Sequence, residues 1–448
     1  MTEEPFSEKD QFDRIERRIE NISSPGIRPG LSRMARLCSL VGNPERHFPA
    51  VHVLGTNGKG SVCASIESVL IESGYSTARY TSPHLEHLGE RLVFDGKRIS
   101  PKAWDDSLNR VSEAVLSDPV LSKDRPSVFE VLTAVAFQCI AEGNRDIAVI
   151  EAGLGGRLDA TNLLGSVKMT AFTALGLDHE DLLGRGIQSI AGEKFAALRP
   201  GVPAVSSFLD KELEPLLSKH AAKMGSLLTI LGKDAFLDCG RPTLQGSSFT
   251  LSLRGHPPMM LQTPLLGKHQ AANAAVAALA CLGLAKGWPR ISPKTIAGGL
   301  EKTTWPGRLE IFPFEPPLVL DGAHNPQGAE ALSNTVLSLW PGLRPIFVLA
   351  AMKDKDIPGM LRALVRCGGD LFSTHIPGME RCETPYMLAE KARSTGWTGS
   401  VEVFDDPRRA IADALKRAEL VVCAGSLYFA GHVRGYLVEA STRGSQRK

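Results

Sequence analysis

Residues 51–61 read Val-His-Val-Leu-Gly-Thr-Asn-Gly-Lys-Gly-Ser, and this stretch decides the fold of the first part of the chain. An apolar strand runs directly into a glycine-rich turn that holds one lysine and one hydroxyl. Glycines let the backbone turn tightly enough for consecutive N–H groups to point inward and surround a phosphate. Lys59 adds a fixed positive charge, and Ser61 can reach a phosphate-bound Mg²⁺. The stretch therefore predicts a polyphosphate-binding loop.

The spacing of this loop differs from that of the common nucleotide loop, which is Gly, four residues, Gly-Lys, and then Ser or Thr at once. Val53 occupies the place of the first glycine, and Gly60 separates Lys59 from Ser61. After the loop, apolar residues recur at helical spacing until Gly74. Strand, loop and helix thus occur in the order that a phosphate site requires.

Composition narrows the class of protein. The chain has 448 residues, which favours two or three domains. Its 51 basic side chains nearly cancel its 49 acidic ones, so the net charge does not predict binding to nucleic acid or to an anionic membrane. Eight cysteines are scattered without a Cys-x-x-Cys pair, and the acidic N-terminus does not resemble a signal peptide. No apolar run approaches membrane length, so a soluble, cytoplasmic protein is expected.

Apolar strands alternate with candidate helices, which predicts an α/β protein whose first domain is a P-loop-type, mainly parallel sheet. Short β-like runs at 226–265 predict a small antiparallel excursion before an alanine-rich helix at 269–287. Further strands of the first domain are expected at 147–150, 169–175 and 203–206.

A second series of strands and helices begins after Trp305-Pro306-Gly307 and predicts a smaller, Rossmann-like C-terminal domain. Its strands are expected at 318–320, 346–350, 371–375, 401–404 and 420–423. We therefore expect domains at 1–304 and 305–440, and a disordered polar tail at 441–448.

Polar side chains follow several strands of the first domain. Ser82 lies in a Ser-Pro turn, which by itself is more often only a turn. Glu151 ends a buried-looking strand, and because ligands gather at the carboxyl ends of such strands, it is placed to meet a metal held by the loop. His179 follows the next strand. Lys194 would on pattern alone be an exposed helix lysine.

The second domain carries one conspicuous motif, Asp321-Gly-Ala-His-Asn-Pro326, at a strand end. Asp321 can accept a hydrogen bond from a ribose hydroxyl or an ordered water, and His324 faces the same crevice. A buried structural Asp–His pair is the alternative. Arg308, just past the domain junction, could reach phosphates across the cleft between the domains.

Together these motifs resemble the folylpolyglutamate synthase and dihydrofolate synthase family, within the Mur ligase superfamily of ATP-dependent amide-forming enzymes. So many matches in family order are far more specific than the phosphate loop alone. The matching stretches are 55–61, 81–84, 153–162, 177–179, 267–270 with Asn273, 305–308, 321–326 and 425–428.

The resemblance implies roles for individual residues. One Mg²⁺ would lie on Ser82 and Glu151, and a second on His179. Lys194 matches a lysine that is typically carbamylated in this family, although Phe195-Ala196-Ala197 replaces the usual Ala-Gly-Ile after it. Lys59, Lys194 and His324 would take catalytic roles. The implied ATP-binding residues are Gly58, Lys59, Gly60, Ser61, Asn273, Arg308 and Asp321, and the implied pterin-binding residues are Phe129, Leu158, Asp159 and Ala160.

The activity implied by the resemblance is an ATP-dependent ligase. The γ-phosphoryl of ATP would pass to a carboxylate, and the amine of L-glutamate would attack the acyl phosphate. The pair Asp159-Ala160 is similar to bifunctional bacterial members, which add glutamate to dihydropteroate and later to reduced folates. Three alternatives stay open: a chain-extending enzyme only, another Mur-type ligase and a P-loop switch ATPase. The resemblance also implies that the substrates are small molecules and that the protein is a monomer.

Overall fold

The structure is a computed structural model that describes residues 7–445, and it divides into two compact units. The first unit comprises the residues up to Asp238, Phe249–Gln262 and Ala272–Thr303. The second comprises Cys239–Ser248, Thr263–Ala271 and the residues from Thr304 onward. The sequence did not indicate that two short segments before residue 272 would cluster with the second unit.

An eight-stranded sheet forms the centre of the first unit. Its strands are β1 (Ala50–Leu54), β2 (Thr77–Tyr80), β3 (Leu92–Phe94), β4 (Lys97–Arg98), β5 (Ile147–Glu151), β6 (Val167–Phe172), β7 (Ala204–Ser206) and β8 (Leu228–Ile230). Their spatial order is β4-β3-β2-β5-β1-β6-β7-β8, and all neighbours pair in parallel except β2 with β3 and β3 with β4. The mainly parallel sheet predicted for the first domain is confirmed.

The strand β1 occupies a central position, and all five of its residues are buried. After β1 the chain continues to β2, on one side of β1 in the sheet. After the neighbouring strand β6 it continues to β7, on the other side. In open α/β sheets, a crevice for ligands forms at the carboxyl ends of strands where the connections diverge in this way. The phosphate loop follows β1 at this point.

Two parts of the first unit differ from the expectation. The run 228–230 joins the main sheet as β8, parallel to β7, instead of the antiparallel excursion. A separate sheet contains only β9 (Ala235–Cys239), β10 (Ser247–Leu253) and β11 (Met259–Thr263), in the order β11-β10-β9. Predicted strand 169–175 is shifted to 167–172, because Thr173 onward turns away to contact the phosphate loop.

Helices precede and follow the strands of these two sheets, up to residue 301. They are α1 (Glu8–Ile22), α2 (Ser32–Leu40), α3 (Lys59–Glu72), α4 (Pro101–Ser117), α5 (Val128–Gly143), α6 (Glu180–Leu183), α7 (Ile187–Phe195), α8 (Leu213–Met224), α9 (Lys268–Leu284) and α10 (Pro293–Glu301). A large hydrophobic core cluster joins α1, α2, α4 and α5 to the sheet around Trp104 and Phe137. On α3, ten residues are buried, and this helix packs against α10.

The second unit is a six-stranded, doubly wound sheet. Its strands are β12 (Glu310–Phe312), β13 (Leu318–Leu320), β14 (Ile346–Leu349), β15 (Asp370–Ser373), β16 (Val401–Val403) and β17 (Val421–Ala424), in the order β12-β13-β17-β14-β15-β16. Only β12 pairs antiparallel. The helices are α11 (Pro326–Leu339), α12 (Ile357–Leu364), α13 (Pro385–Ser394), α14 (Pro407–Arg417) and α15 (Leu427–Ser445). The predicted Rossmann-like second domain is confirmed.

The last helix corrects one expectation. Helix α15 continues through Ser445, so residues 441–445 are helical and not disordered, while 446–448 lie outside the described residues. Phe429, Val433 and Leu437 anchor the helix in the core, and once a helix is anchored each further residue adds a backbone hydrogen bond at little cost. No helix within residues 7–445 is long and apolar enough to cross a membrane.

Candidate active site

The phosphate loop occupies residues 55–58, between β1 and α3. Gly58 precedes the helix with a φ of 90°, and Gly55 has a φ of 151°. A Cβ on Gly58 would lie 2.4 Å from Asn273 Oδ1, and one on Gly55 would lie 1.9 Å from Thr173 Oγ1. Both positions therefore require glycine. Because the first N–H groups of a helix have no acceptor within the helix, the start of α3 at Lys59 is suited to bind a phosphate.

Contacts with the segment after β6 hold the loop in place. Thr56 N donates a hydrogen bond to Ala174 O at 2.9 Å. Thr56 Oγ1 donates to Gly176 O and accepts from Gly176 N, each at 3.1 Å. The protein thus fixes the conformation of the loop through its own backbone, and the segment that leads to His179 starts beside it.

Three predicted site residues come together next to the loop. Lys59 Nζ donates to Thr56 O at 3.2 Å and lies 3.9 Å from Glu151 Oε1. Ser82 N donates to Glu151 Oε2 at 3.1 Å. Since β2, β5 and β1 are parallel neighbours, the residues that follow their carboxyl ends meet at one edge of the sheet.

The donor set at this edge fits Mg²⁺. This ion takes oxygen ligands, keeps several waters and commonly uses one or two carboxylates together with substrate phosphates. Glu151 supplies a buried carboxylate, and Ser82 supplies a hydroxyl on the adjoining turn. Between residues 7 and 445, no three His, Cys, Asp or Glu side chains form a group that could hold a metal. An ion here would therefore take most of its ligands from the nucleotide and water.

His179 lies at the start of α6 in the left-handed region, with a φ of 54°. Its backbone N donates to Asp178 Oδ1 at 3.0 Å, and its Nε2 lies 3.8 Å from the same oxygen. It forms no joint metal-binding group with Glu151 and Asp178 in the described chain. An imidazole is also a less usual ligand for Mg²⁺ than an oxygen. The role of His179 in metal binding stays a prediction.

Lys194 is buried, and the expectation of an exposed helix lysine is wrong. It lies on α7 with its side chain turned inward, and Nζ donates to Gly55 O at 2.9 Å. Burial, together with repulsion from Lys59, lowers the pKa of Lys194 to about 7. Phe195, the departure from the family pattern, is a core residue that packs edge-on against Phe172. Lys194 thus reaches the first residue of the phosphate loop, which sequence spacing could not reveal.

The residues predicted to bind a pterin surround one loop. A Cβ on Gly153 would lie 2.4 Å from the Phe129 ring, so that ring packs directly on the loop after β5. Asp159 is buried, and Leu154 N donates to its Oδ2 at 2.7 Å. Burial raises the pKa of Asp159. Leu158 is half-buried, and Ala160 is buried in a short 3₁₀ turn at Ala160–Leu163.

In the second unit, Asp321 is buried at the end of β13. Leu309 N and Ala323 N each donate to its carboxylate at 2.8 Å, and burial raises its pKa. The positive charge of Arg308 opposes this rise in the pKa of Asp321. Burial, together with repulsion from Arg308, lowers the pKa of His269 to about 4. His324 is half-buried, and its Nδ1 lies 2.9 Å from Gly322 O. Asp321, Arg308 and His269 thus interact electrostatically, and the shared crevice of Asp321 and His324 stays a prediction.

Sequence reasoning missed two buried polar residues, His52 on β1 and Thr161 in the loop after β5. His52 Nε2 lies 2.8 Å from Thr161 Oγ1, and both side chains have no exposed surface. The signal was available, because a histidine inside a fully buried strand requires a polar partner.

A cavity of about 380 Å³ opens in the second unit and contains none of the predicted site residues. It is lined by Lys353, His375, Met379, Glu380, Cys382, Glu383, Thr384, Pro385, Tyr386 and Asp405. The cavity does not coincide with the phosphate loop.

Comparison with known proteins finds similar sequences over most of the chain. The family model described as the Mur ligase glutamate ligase domain matches residues 307–427. The chain is 34% identical over 418 residues to dihydrofolate synthase/folylpolyglutamate synthase of Bacillus subtilis, covering 91% of this chain and 95% of that protein. It is 29% identical over 415 residues to the Escherichia coli protein of the same name, covering 93% of each.

Solved structures give the same result for the fold. Folylpolyglutamate synthase of Mycobacterium tuberculosis, complexed with ADP and AMPPCP, superposes with a TM-score of 0.87 at 30% identity, covering 96% of this chain and 99% of that one. E. coli FolC in complex with DHPP and ADP superposes with a TM-score of 0.84 at 28% identity, covering 96% and 98%. Both units of the chain are thus represented in the matched structures.

Proposed function

We propose that this chain, which belongs to the dihydrofolate synthase and folylpolyglutamate synthase family of ATP-dependent C–N ligases, joins L-glutamate both to dihydropteroate and to the glutamate tail of reduced folates. The observation that carries the proposal is the convergence of Lys59, Glu151 and Ser82 beside a phosphate loop. Relatives named for both activities match over nearly the whole chain, and one solved relative holds DHPP together with ADP.

In the proposed reaction, a carboxylate oxygen of the pterin substrate attacks the γ-phosphorus of ATP, and ADP leaves. The amine of L-glutamate then attacks the acyl carbon and loses a proton, and inorganic phosphate leaves. Proteins promote phosphoryl transfer mainly by positioning and by stabilising charge. Lys59 and the N-terminus of α3 are suited to both tasks, because the loop that carries them is fixed by its own hydrogen bonds. Mg²⁺, when held by Glu151 and Ser82, would neutralise phosphate charge.

The residue assignments form part of the proposal. Asn273 is supported by its close packing against Gly58 at the start of α3. His324 would position glutamate or the ADP phosphates, and His179 would support a second Mg²⁺. The proposed ATP-binding residues are Gly58, Lys59, Gly60, Ser61, Asn273, Arg308 and Asp321, and the proposed pterin-binding residues are Phe129, Leu158, Asp159 and Ala160.

Carbamylation of Lys194 is proposed on chemical grounds. Carbon dioxide reacts only with an uncharged amine, and a pKa near 7 leaves a large uncharged fraction at neutral pH. The product would be an anion within reach of the phosphate loop, where Lys194 already contacts Gly55 O. Mass spectrometry of the intact protein with and without bicarbonate tests this modification.

We also propose that the protein is a cytoplasmic monomer that binds neither nucleic acid nor membranes. All eight cysteines are free, and seven of them are buried, as expected in a reducing compartment. Basic and acidic side chains nearly cancel, at 51 and 49. Light scattering after size-exclusion chromatography tests the oligomeric state.

One assay tests the proposed function. ADP release is measured with glutamate plus dihydropteroate, with glutamate plus tetrahydrofolate, and with glutamate alone. The proposal predicts ADP release with each pterin and a low background without them. Release with tetrahydrofolate alone would remove the synthase activity. ADP formation that is indifferent to both pterins would favour another Mur-type ligase or a switch ATPase and refute the proposal.

A further inference from the structure

A buried hydrogen-bonded chain runs from the strand that precedes the phosphate loop to the predicted pterin loop. It begins at His52, which pairs in register with Ile150 of β5 and Thr170 of β6. His52 Nε2 contacts Thr161 Oγ1 at 2.8 Å, and Thr161 Oγ1 in turn donates to Asp159 Oδ1. All three side chains are buried.

The protons in this chain can be assigned by counting. Thr161 has one hydroxyl hydrogen, and it is directed to Asp159. His52 Nε2 must therefore carry a hydrogen and donate it to Thr161 Oγ1. The reverse pattern would place a hydrogen on His52 Nδ1, which is buried and has no hydrogen-bond partner in the described part of the chain. An orphaned N–H costs more than an orphaned acceptor, so the forward direction is favoured.

The electrostatics agree with this direction. Burial, together with repulsion from Arg199, lowers the pKa of His52 to about 3, so the ring is neutral near pH 7. Asp159 also accepts from Leu154 N at 2.7 Å and from Thr161 N at 3.0 Å. Backbone N–H donors favour the ionised carboxylate and offset part of the cost of burial, which on balance raises the pKa of Asp159.

Most hydrogen-bond acceptor sites of the Asp159 carboxylate are already occupied. A carboxylate offers about four acceptor sites. Two on Oδ1 are taken by the amide and hydroxyl of Thr161, and one on Oδ2 is taken by Leu154 N. One acceptor site remains, and it is on Oδ2.

We propose that His52 and Thr161 are positioning residues for the pterin, holding Asp159 so that its one remaining acceptor site, on Oδ2, takes an N–H of the pterin ring. This inference rests on the proposed function, since it assumes a pterin at Asp159. Neither residue touches the substrate. They act through Asp159, and they tie its loop to the strand that ends in the phosphate loop.

Two pairs of variants test the proposal. Thr161→Val removes the hydroxyl at nearly constant volume, and Thr161→Ser restores it. His52→Leu removes the donor, and His52→Gln supplies an N–H near the position of Nε2. We expect the first member of each pair to raise the KM for dihydropteroate about tenfold or more, as expected for a lost hydrogen bond to a charged group. The KM values for ATP and glutamate should change less than about twofold, and the second member should recover most of the loss.

The outcomes separate the claims. Unchanged KM for dihydropteroate in folded Thr161→Val and His52→Leu would overturn the positioning role. A rise in all three KM values together with a lower melting temperature would assign the pair a purely structural role and would also overturn it. Wild-type protein without pterin-dependent ADP release would refute the proposed function itself.

A readout that does not require activity tests the hydrogen-bond chain directly. Two-bond ¹H–¹⁵N correlation of the full chain, with the His52 signal assigned from His52→Gln, should show a neutral ring protonated at Nε2. A ring protonated at Nδ1 would overturn the donor chain.

Discussion

In the proposed mechanism, Lys59 is the residue on which phosphoryl transfer depends most. Its Nζ is held by Thr56 O and lies 3.9 Å from Glu151, and its side chain is 16% exposed. We expect Lys59→Ala to lower kcat/KM by about a hundredfold or more, because one preorganised positive charge is lost from the transferring phosphoryl group. ADP release measures the effect.

The matched control for this variant is Lys97→Ala, which removes an exposed lysine on β4. Circular dichroism should show that both variants remain folded. Full activity in folded Lys59→Ala would mean that the loop is not the phosphate site.

The pH dependence of stability follows from Lys194. The pKa of Lys194 in the folded protein is about 7, below the ordinary 10.5 that applies in the unfolded chain. Between these pH values the unfolded state binds more protons, so the free energy of unfolding rises with pH from about 7 to about 10.5. Lys194→Met should be more stable than the wild type at pH 7, by on the order of a few kcal/mol, and should lack this part of the rise.

Urea midpoints at pH 7 and pH 9, in buffer depleted of bicarbonate, measure this difference. Equal changes with pH in the two proteins would contradict the account. Depletion of bicarbonate matters because carbamylation would replace the amine that titrates.

At the residue scale, the sequence predicted the positions of some polar side chains along the sheet edge better than it predicted their burial. Glu151 ends its strand, and that pattern alone predicted it beside the loop. The Ser-Pro turn of Ser82 was weak evidence by itself, and its place beside Glu151 was implied by the family resemblance. Lys194 could not be placed in this way, because its burial depends on how α7 packs and its contact with Gly55 spans 139 residues of chain. His52 was not predicted, because the apolar pattern of β1 indicates a buried strand but not the partner of its one polar side chain.

At the scale of single elements, the junction of β1 and α3 depends on Gly58. Gly58→Ala would place a methyl group 2.4 Å from Asn273 Oδ1 at a φ of 90°. We expect a loss of stability of about 1–3 kcal/mol and a higher KM for ATP. Denaturant unfolding and initial rates at varied ATP measure the two effects.

Gly435→Ala serves as the control for that prediction. Gly435 lies within α15, and an added Cβ would meet nothing within 4 Å. This variant should be more stable by about 0.5–1 kcal/mol, because alanine favours the helix. Destabilisation of both variants alike would show that the clash at Gly58 is not the cause.

Elements with a strong local signal were predicted well, and those fixed by distant contacts were not. β13 lies at the predicted Leu318–Leu320. The hairpin of β3 and β4 was missed although Asp95 and Gly96, both with positive φ, form a typical hairpin turn. β8 was assigned to the wrong sheet, because nothing in three residues shows that they will pair with Ser206 and its neighbours.

At the scale of the whole molecule, the burial of the cysteines gives a test of the packing of both units. Seven are buried and only Cys239 is partly exposed. Burial raises the pKa of Cys281 and Cys423 well above the ordinary value, which disfavours the reactive thiolate. We expect about one thiol of the eight to react rapidly with a thiol reagent in the native protein. All eight should react after denaturation.

Rapid modification of several thiols in the native protein would contradict the packing described for both units. Cys239→Ser is the matched control and should abolish the fast phase.

The main boundary between the two units could be predicted from the sequence, but the assignment of two short segments to the second unit could not. The change of pattern near Trp305 indicated a new domain, and the compact units separate after Thr303. The assignment of 239–248 and 263–271 to the second unit depends on contacts with residues far along the chain, such as the close approach of Gly267 to Thr335, which leave no local signal.

The central claim is that ATP activates a pterin carboxylate for attack by glutamate, and transfer of an oxygen isotope tests it most directly. The protein is incubated with ATP, L-glutamate and dihydropteroate whose carboxylate carries ¹⁸O, and the released inorganic phosphate is analysed by mass spectrometry. The account predicts that each turnover moves one ¹⁸O atom into phosphate and leaves the other in the new amide. Phosphate without ¹⁸O, released while ADP is formed, would contradict the account.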